Sequence, residues 1–306
     1  MEPDYHLYLI IILLVLFIII GLFGNIISIF IFNYQEFHKQ QSVFYLINSC
    51  IINIIIILYL PIATLPTIWT ISDLACKLLS GIMYILIQTQ SFIIAYCSMD
   101  RLITLMSPFK CLFKNKIKFQ VLITLITILI MTIFVIPMEY FYQRQITIQN
   151  LTICGFTNEV TWNLTYLKIE LFLLRTMIPF AIMIISSTLI LWNIKKYKLK
   201  FGSINIKQTA EYQLSITLVT MDILFVIFRL PSLIFATSSE DDNFIFSFTY
   251  SMFILIGAFH NVFYFLIFIF FNRVYRCLFF KLMKKIKISL CKVNNQVSHN
   301  NNSLVV

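Results

Sequence analysis

The sequence predicts an all-α membrane protein, a bundle of seven transmembrane helices with its N-terminus outside and its C-terminus inside. Three observations predict it. Of the 306 residues, 60% are apolar and 12% charged, with a mean hydropathy of +0.90, a balance that in water would expose large apolar patches. The apolar residues gather in seven runs, at about 7–33, 42–66, 75–105, 117–141, 166–195, 210–237 and 245–271, each near or above the roughly 20 residues that span a bilayer core. The basic residues fall in alternate gaps between those runs. Because the runs are continuous in Ile, Leu and Phe rather than alternating, an outer-membrane barrel is excluded and helices are the remaining spanning structure.

The charge pattern fixes the orientation. Lys39, then Arg101 with Lys110, Lys114, Lys116 and Lys118, then Lys195, Lys196, Lys198, Lys200 and Lys207, and finally the cluster from Arg273 to Lys292 occupy one set of gaps. The other set holds Lys77, Arg144, Lys168 and Arg175 against Glu2, Asp4, Asp73, Glu159, Glu240, Asp241 and Asp242. The basic set is cytoplasmic by the positive-inside rule. The net charge of +10 is therefore topology, and no nucleic-acid partner is implied.

The first run is no cleavable signal: Glu2 and Asp4 stand where a basic n-region belongs, and the run is too long. It is the first helix and carries Gly24-Asn25 at mid-membrane. The second carries Asn53 and, eight residues on, Pro61. The third opens with Cys76, holds Gln90, and closes on Met99-Asp100-Arg101-Leu102, with Pro108-Phe109 beyond. Helices four, five and six contain the kinking prolines Pro137, Pro179 and Pro231, and helix six also carries Asp222 and Arg229. The seventh holds His260 and Asn261 and ends in Phe271-Asn272-Arg273-Val274-Tyr275-Arg276.

Beyond Asn272, Phe271, Val274, Tyr275, Leu278, Phe279, Leu282 and Met283 recur at spacings of three and four between basic residues, which predicts an amphipathic helix along the inner leaflet, in contact with membrane lipid. The chain thus divides into a membrane domain, 1–285, that includes this helix, and a cytoplasmic tail, 286–306, read as disordered from its Asn and Ser content. Of seven cysteines, Cys76 and Cys154 alone face the oxidising side and form the one plausible disulfide. Cys50 and Cys97 read as packing residues. Cys111, Cys277 and Cys291 read as free thiols, with palmitoylation of Cys277 or Cys291 as the alternative. Asn150 and Asn163 head glycosylation acceptors in an outer gap.

Together these positions resemble the rhodopsin-like (class A) G-protein-coupled receptors, over all seven helices and the start of the tail. The resemblance rests on the Gly-Asn pair, the Asp-Arg pair with Cys76 lying 25 residues before the Arg and Pro108 eight after the Asp, the prolines of helices five and six, and the Asn-x-x-aromatic-Arg junction. The chain is a divergent member. Leu102 replaces the usual Tyr, Asn53 the helix-two Asp, Arg229 a Trp and Ser187 a Tyr, helix four lacks its Trp, and Tyr264 to Phe268 stand in place of the Asn-Pro-x-x-Tyr motif.

The resemblance implies a plasma-membrane receptor, not an enzyme, that binds an extracellular ligand and activates a heterotrimeric G protein, without cofactor or metal. Asp100 and Arg101 would form an inner latch, and Pro108 and Phe109 would meet the G protein. Asn25, Asn53, Gln90 and Asn261 would form the polar core. Met83, Tyr84, Arg175, Arg229 and His260 are the ligand-contact candidates, with Arg229 at the floor of an outer cavity. With Asn53 for the usual acid, sodium regulation should be weak or absent. Met83, eighteen residues before Arg101, stands where amine receptors carry Asp, and the seventh run lacks a Schiff-base lysine, so amines and retinal are disfavoured.

The acidic outer surface and the similarity of Arg229-Leu230-Pro231 and Asn272-Arg273-Val274-Tyr275-Arg276 to invertebrate neuropeptide-type receptors favour a peptide ligand. A small-molecule or chemosensory receptor of the same fold is the alternative. Rival classes are a transporter, which predicts inverted repeats that the sequence lacks, and a non-signalling decoy receptor, to which Leu102 and the altered seventh helix point. The histidines at 6, 38, 260 and 299 have no metal-ligand or nucleophile spacing.

Overall fold

The computed structural model describes residues 5–34, 37, 42–64, 73–105, 116–146, 152–156, 176–201, 206–238 and 248–302. Eight helices and one hairpin follow in chain order: α1 Tyr5–Phe32, α2 Val43–Thr64, α3 Asp73–Leu105, α4 Lys116–Phe141, β1 Tyr142–Ile146, β2 Thr152–Phe156, α5 Ile178–Phe201, α6 Ile206–Ser238, α7 Phe248–Phe271 and α8 Arg273–Asn302. Six of the helices, α1 to α6, are each long and apolar enough to cross a membrane. The seventh crossing, Leu255–Phe271, meets that test together with Arg273–Ile288, to which it is joined through a 105° bend. The chain is a seven-helix membrane bundle, with α8 turned off its inner end.

Packing centres on α3, which touches α2, α4, α5 and α6, while α1 packs on α2 and α7, and α7 on α6. The largest core cluster lies in the inner half. It joins Ile31, Phe32 and Phe37 to Leu46, Cys97, Leu218, Phe268 and Tyr275. A smaller outer cluster gathers Ile10, Leu14, Leu60, Leu255 and Ala258. Leu122, Leu125, Leu129, Ile133 and Ile136 are exposed along α4, at the three-and-four spacing of one helix face, as are Ile12, Ile19, Phe23 and Phe30 of α1. Such stripes are what lipid as solvent requires.

Close approach of α1 to α2 and α7 depends on two glycines. A Cβ at Gly21 would come within 2.6 Å of Ile57, and one at Gly24 would run into the ring of Phe265. The bend between α7 and α8 is built by Asn272. Its N–H closes α7 on the carbonyl of Phe268 at 2.9 Å, while its side-chain Oδ1 accepts the backbone N–H of Tyr275 at 3.0 Å, the geometry of a helix N-cap. Tyr275 then anchors α8: its hydroxyl pairs with Ser28 at 2.7 Å and its ring packs on Phe268, Phe32 and Phe37. Burial pushes its phenol well above the usual range.

Two features depart from the sequence reading. The β1–β2 hairpin, antiparallel with Arg144 opposite Cys154, is too short to register in a search for bilayer-length runs. The backbone of α8 is helical through Asn302, across the 286 boundary assigned to a disordered tail. The reason is legible in the spacing, because Leu282, Ile286, Leu290, Val293 and Val297 continue the apolar stripe at intervals of three and four.

Candidate functional site

Polar side chains inside the bundle fall into layers. The middle one is a chain of neutral amides. Asn25 of α1 donates to the backbone carbonyls of Gly21 at 2.8 Å and Asn261 at 3.0 Å, and its own carbonyl accepts from Asn53 of α2 at 3.0 Å. Gln90 of α3 completes the chain, donating to Asn53 at 2.8 Å and to Ser49 at 2.7 Å. Asn25, Asn53, Gln90 and Asn261 are all fully buried, so four predicted core residues are brought together across α1, α2, α3 and α7. The chain is only partly closed: Asn261 joins it through its backbone carbonyl, and its side-chain amide and the Gln90 carbonyl have no hydrogen-bond partner among the described residues.

The inner layer is charged. Arg101, near the end of α3, is 3% exposed, and Asp100 beside it accepts a hydrogen bond from Ser42 at 2.8 Å. Ser42 precedes the first residue of α2, so Asp100 ties the inner ends of α2 and α3. Asp222 of α6 is also buried, and its Oδ2 accepts from Ser98 of α3 at 2.8 Å and from Ser187 of α5 at 2.6 Å. The Cys97 thiol approaches the Ser42 carbonyl at 3.9 Å in the same layer.

The outer layer holds those ligand-contact candidates that fall among the described residues. Phe225 and Arg229 lie one and two turns outward of Asp222 on α6. The Arg229 guanidinium sits 5.8 Å from the centroid of the Phe225 ring, a cation–π distance, and His260 of α7 meets the same ring edge-on at 5.3 Å. Neither ring nitrogen of His260 has a hydrogen-bond partner among the described residues. Met83 is buried on α3 and Tyr84 is half-buried beside it.

Other sequence candidates are placed only by backbone. Cys76 lies in the first turn of α3 and Cys154 at the centre of β2, and these two elements pack together. Pro61 and Pro231 are inside α2 and α6. Pro137 lies one turn from the end of α4, and Pro179 in the first turn of α5, where a missing N–H costs little. Arg175, Pro108, Phe109, Asn150 and Asn163 lie outside the described residues.

Sequence reasoning passed over Ser98 and Ser42, which resemble ordinary helix-surface residues. It noted Ser187 only as a departure. The available signal was the carboxylate at 222, which in a membrane interior demands donors from neighbouring helices.

The model of the family described as 7 transmembrane receptor (rhodopsin family) matches residues 24–263. The chain belongs to that family. The chain is thus a multi-pass plasma-membrane receptor of this family, not an enzyme. Relatives include the mouse C-C chemokine receptor type 8, 27% identical over 72% of this chain and 61% of that one, and the mouse C-C chemokine receptor type 6, 23% identical over 50% and 44%. The chicken type-1 angiotensin II receptor is 26% identical over 58% of this receptor and 52% of its own length. The matched stretches thus span about half the length of these relatives, at the low identity expected of a divergent receptor.

Proposed function

We propose that the protein binds an extracellular peptide and answers by activating a heterotrimeric G protein. The observation that carries the coupling half is the inner layer, where the buried Arg101 lies one turn from the end of α3 beside the half-buried Asp100, and Asp100 is itself held by Ser42. A buried arginine at the cytoplasmic end of a spanning helix is costly in lipid. Its use is as a latch: held by Asp100 at rest, it turns to the G protein when α6 moves outward, with Pro108 and Phe109, beyond α3 in the sequence, as further contacts. The peptide half draws support from relatives named as receptors for C-C chemokines and angiotensin II, and from the acidic outer segments, which would steer a cationic ligand.

Within this reading, Cys76 and Cys154 form the outer disulfide, joining β2 to the head of α3, and Asn150 and Asn163 carry glycans. Met83, Tyr84, Arg175, Arg229 and His260 meet the ligand. Arg229, Phe225 and His260 connect that surface to α6 and α7, so ligand contact there bears directly on the helix that must move. The basic face of α8 contacts anionic lipid of the inner leaflet.

The test is a peptide-library screen on cells expressing the chain, read by recruitment of labelled G proteins. A cationic peptide that recruits G protein through the parent chain but not through Arg101→Ala, at equal surface expression, supports both halves. Activation by a lipid or odorant alone overturns the peptide assignment. Binding without recruitment of any G protein makes the chain a decoy receptor.

A further inference from the structure

Asp222 is a buried acid that the Arg101 latch does not use. It is 4% exposed and stands nine residues before Pro231, at the middle of α6. Its Oδ2 receives hydroxyls from two different helices, Ser98 at 2.8 Å and Ser187 at 2.6 Å, and both serines are buried. Three helices therefore converge on one oxygen atom. The remaining oxygen, Oδ1, has no hydrogen-bond partner among the described residues. One turn from Ser98 and Ser187, Ile94 on α3 and Met183 on α5 pack with Phe225 of α6 in one buried cluster, and Leu218 and Met221 of α6 are buried as well.

We propose that Asp222 is a second latch, a carboxylate clamp that holds α6 against α3 and α5 at rest and that must release before the inner end of α6 can swing outward. Short hydrogen bonds to a carboxylate are the strong ones, and they are geometrically exacting. An outward step of α6 of one or two ångströms would break both bonds at once, since they share an acceptor. The unpartnered Oδ1 supplies the opposing tendency. A buried polar atom without a partner destabilises the state that buries it, and outward movement carries this carboxylate towards water entering at the cytoplasmic face. The closed state is thus held by two bonds and weakened by one orphan atom, which suits an element that must have two accessible positions.

The clamp rests on the receptor reading in assuming that α6 moves, so its test reads movement without any G protein. The full chain, with Cys111, Cys277 and Cys291 replaced by Ser, is placed in lipid nanodiscs and spin-labelled at the inner ends of α3 and α6. Without ligand, Asp222→Ala should raise the population with widely separated labels at least threefold. The Ser98→Ala/Ser187→Ala pair, which leaves Asp222 in place, should do the same and carries the test if Asp222→Ala does not fold. Thr132→Ala, whose hydroxyl bonds within α4 to the Ile128 carbonyl, serves as the control and should match the parent.

A distance distribution in the serine pair that coincides with the parent's overturns the clamp. A wider spacing without nucleotide exchange on any added G protein leaves the clamp standing and overturns the coupling assignment instead.

Discussion

The middle and inner polar layers are about 12 Å apart along α3, the rise from Gln90 to Ser98, and they are made of different chemistry. In the middle, Asn25, Asn53, Gln90 and Ser49 join α1, α2 and α3 through neutral groups that donate and accept among themselves. In the inner layer, Asp100, Arg101 and Asp222 are ionisable, and the hydroxyl partners of the two acids, Ser42, Ser98 and Ser187, come from three different places in the bundle. Neutral amides cost far less to bury than charges, even where the Gln90 carbonyl and the Asn261 side chain have no partner among the described residues, so the middle layer fixes helix register. Buried charges gain a great deal from solvation. The inner layer is therefore the one that can exchange its internal partners for water or for another protein.

That contrast can be broken at either layer, with different readouts. Replacing Arg101 with Ala should produce the largest effect, more than a tenfold loss of G-protein nucleotide exchange, with thermal stability and surface expression close to the parent's. Asn53→Leu attacks the other layer. It leaves the Asn25 carbonyl and one Gln90 donor without Asn53, at about 1–3 kcal/mol for each group left unsatisfied, and should lower the unfolding temperature in detergent while leaving residual coupling per folded molecule unchanged.

Gly24→Ala tests the helix contact beneath the amides. The added methyl meets the Phe265 ring, and overpacking of this kind costs about 1–3 kcal/mol, visible as a lower midpoint in a thermal-shift assay. Asn272→Ala should have the smallest effect, about 1 kcal/mol for the lost N-cap, seen as faster hydrogen exchange in the first turn of α8.

Much of the bundle was legible in the sequence because lipid imposes a simple rule: apolar length and flanking charge give spans and orientation. The amide layer was legible in part, since Asn25, Asn53, Gln90 and Asn261 are conspicuous in apolar runs, although their pairing order was not. The bend at Asn272 was anticipated from the junction motif, and the cap explains it physically. Ser98, Ser187 and Ser42 were not legible as a group. Serines are common in membrane helices, and only tertiary packing shows which ones face a carboxylate. The β1–β2 hairpin was missed for the opposite reason, since five-residue strands carry too little pattern to stand out beside bilayer-length runs.

The most direct measurement of the central claim, that the inner charged layer is the switch, is nucleotide exchange by a purified heterotrimeric G protein with the parent, Arg101→Ala, Asp222→Ala and the double variant in nanodiscs. Asp222→Ala should raise ligand-independent exchange several-fold, and adding Arg101→Ala should abolish that gain, because the clamp releases α6 while Arg101 engages the partner. A double variant as active as Asp222→Ala alone would contradict the account.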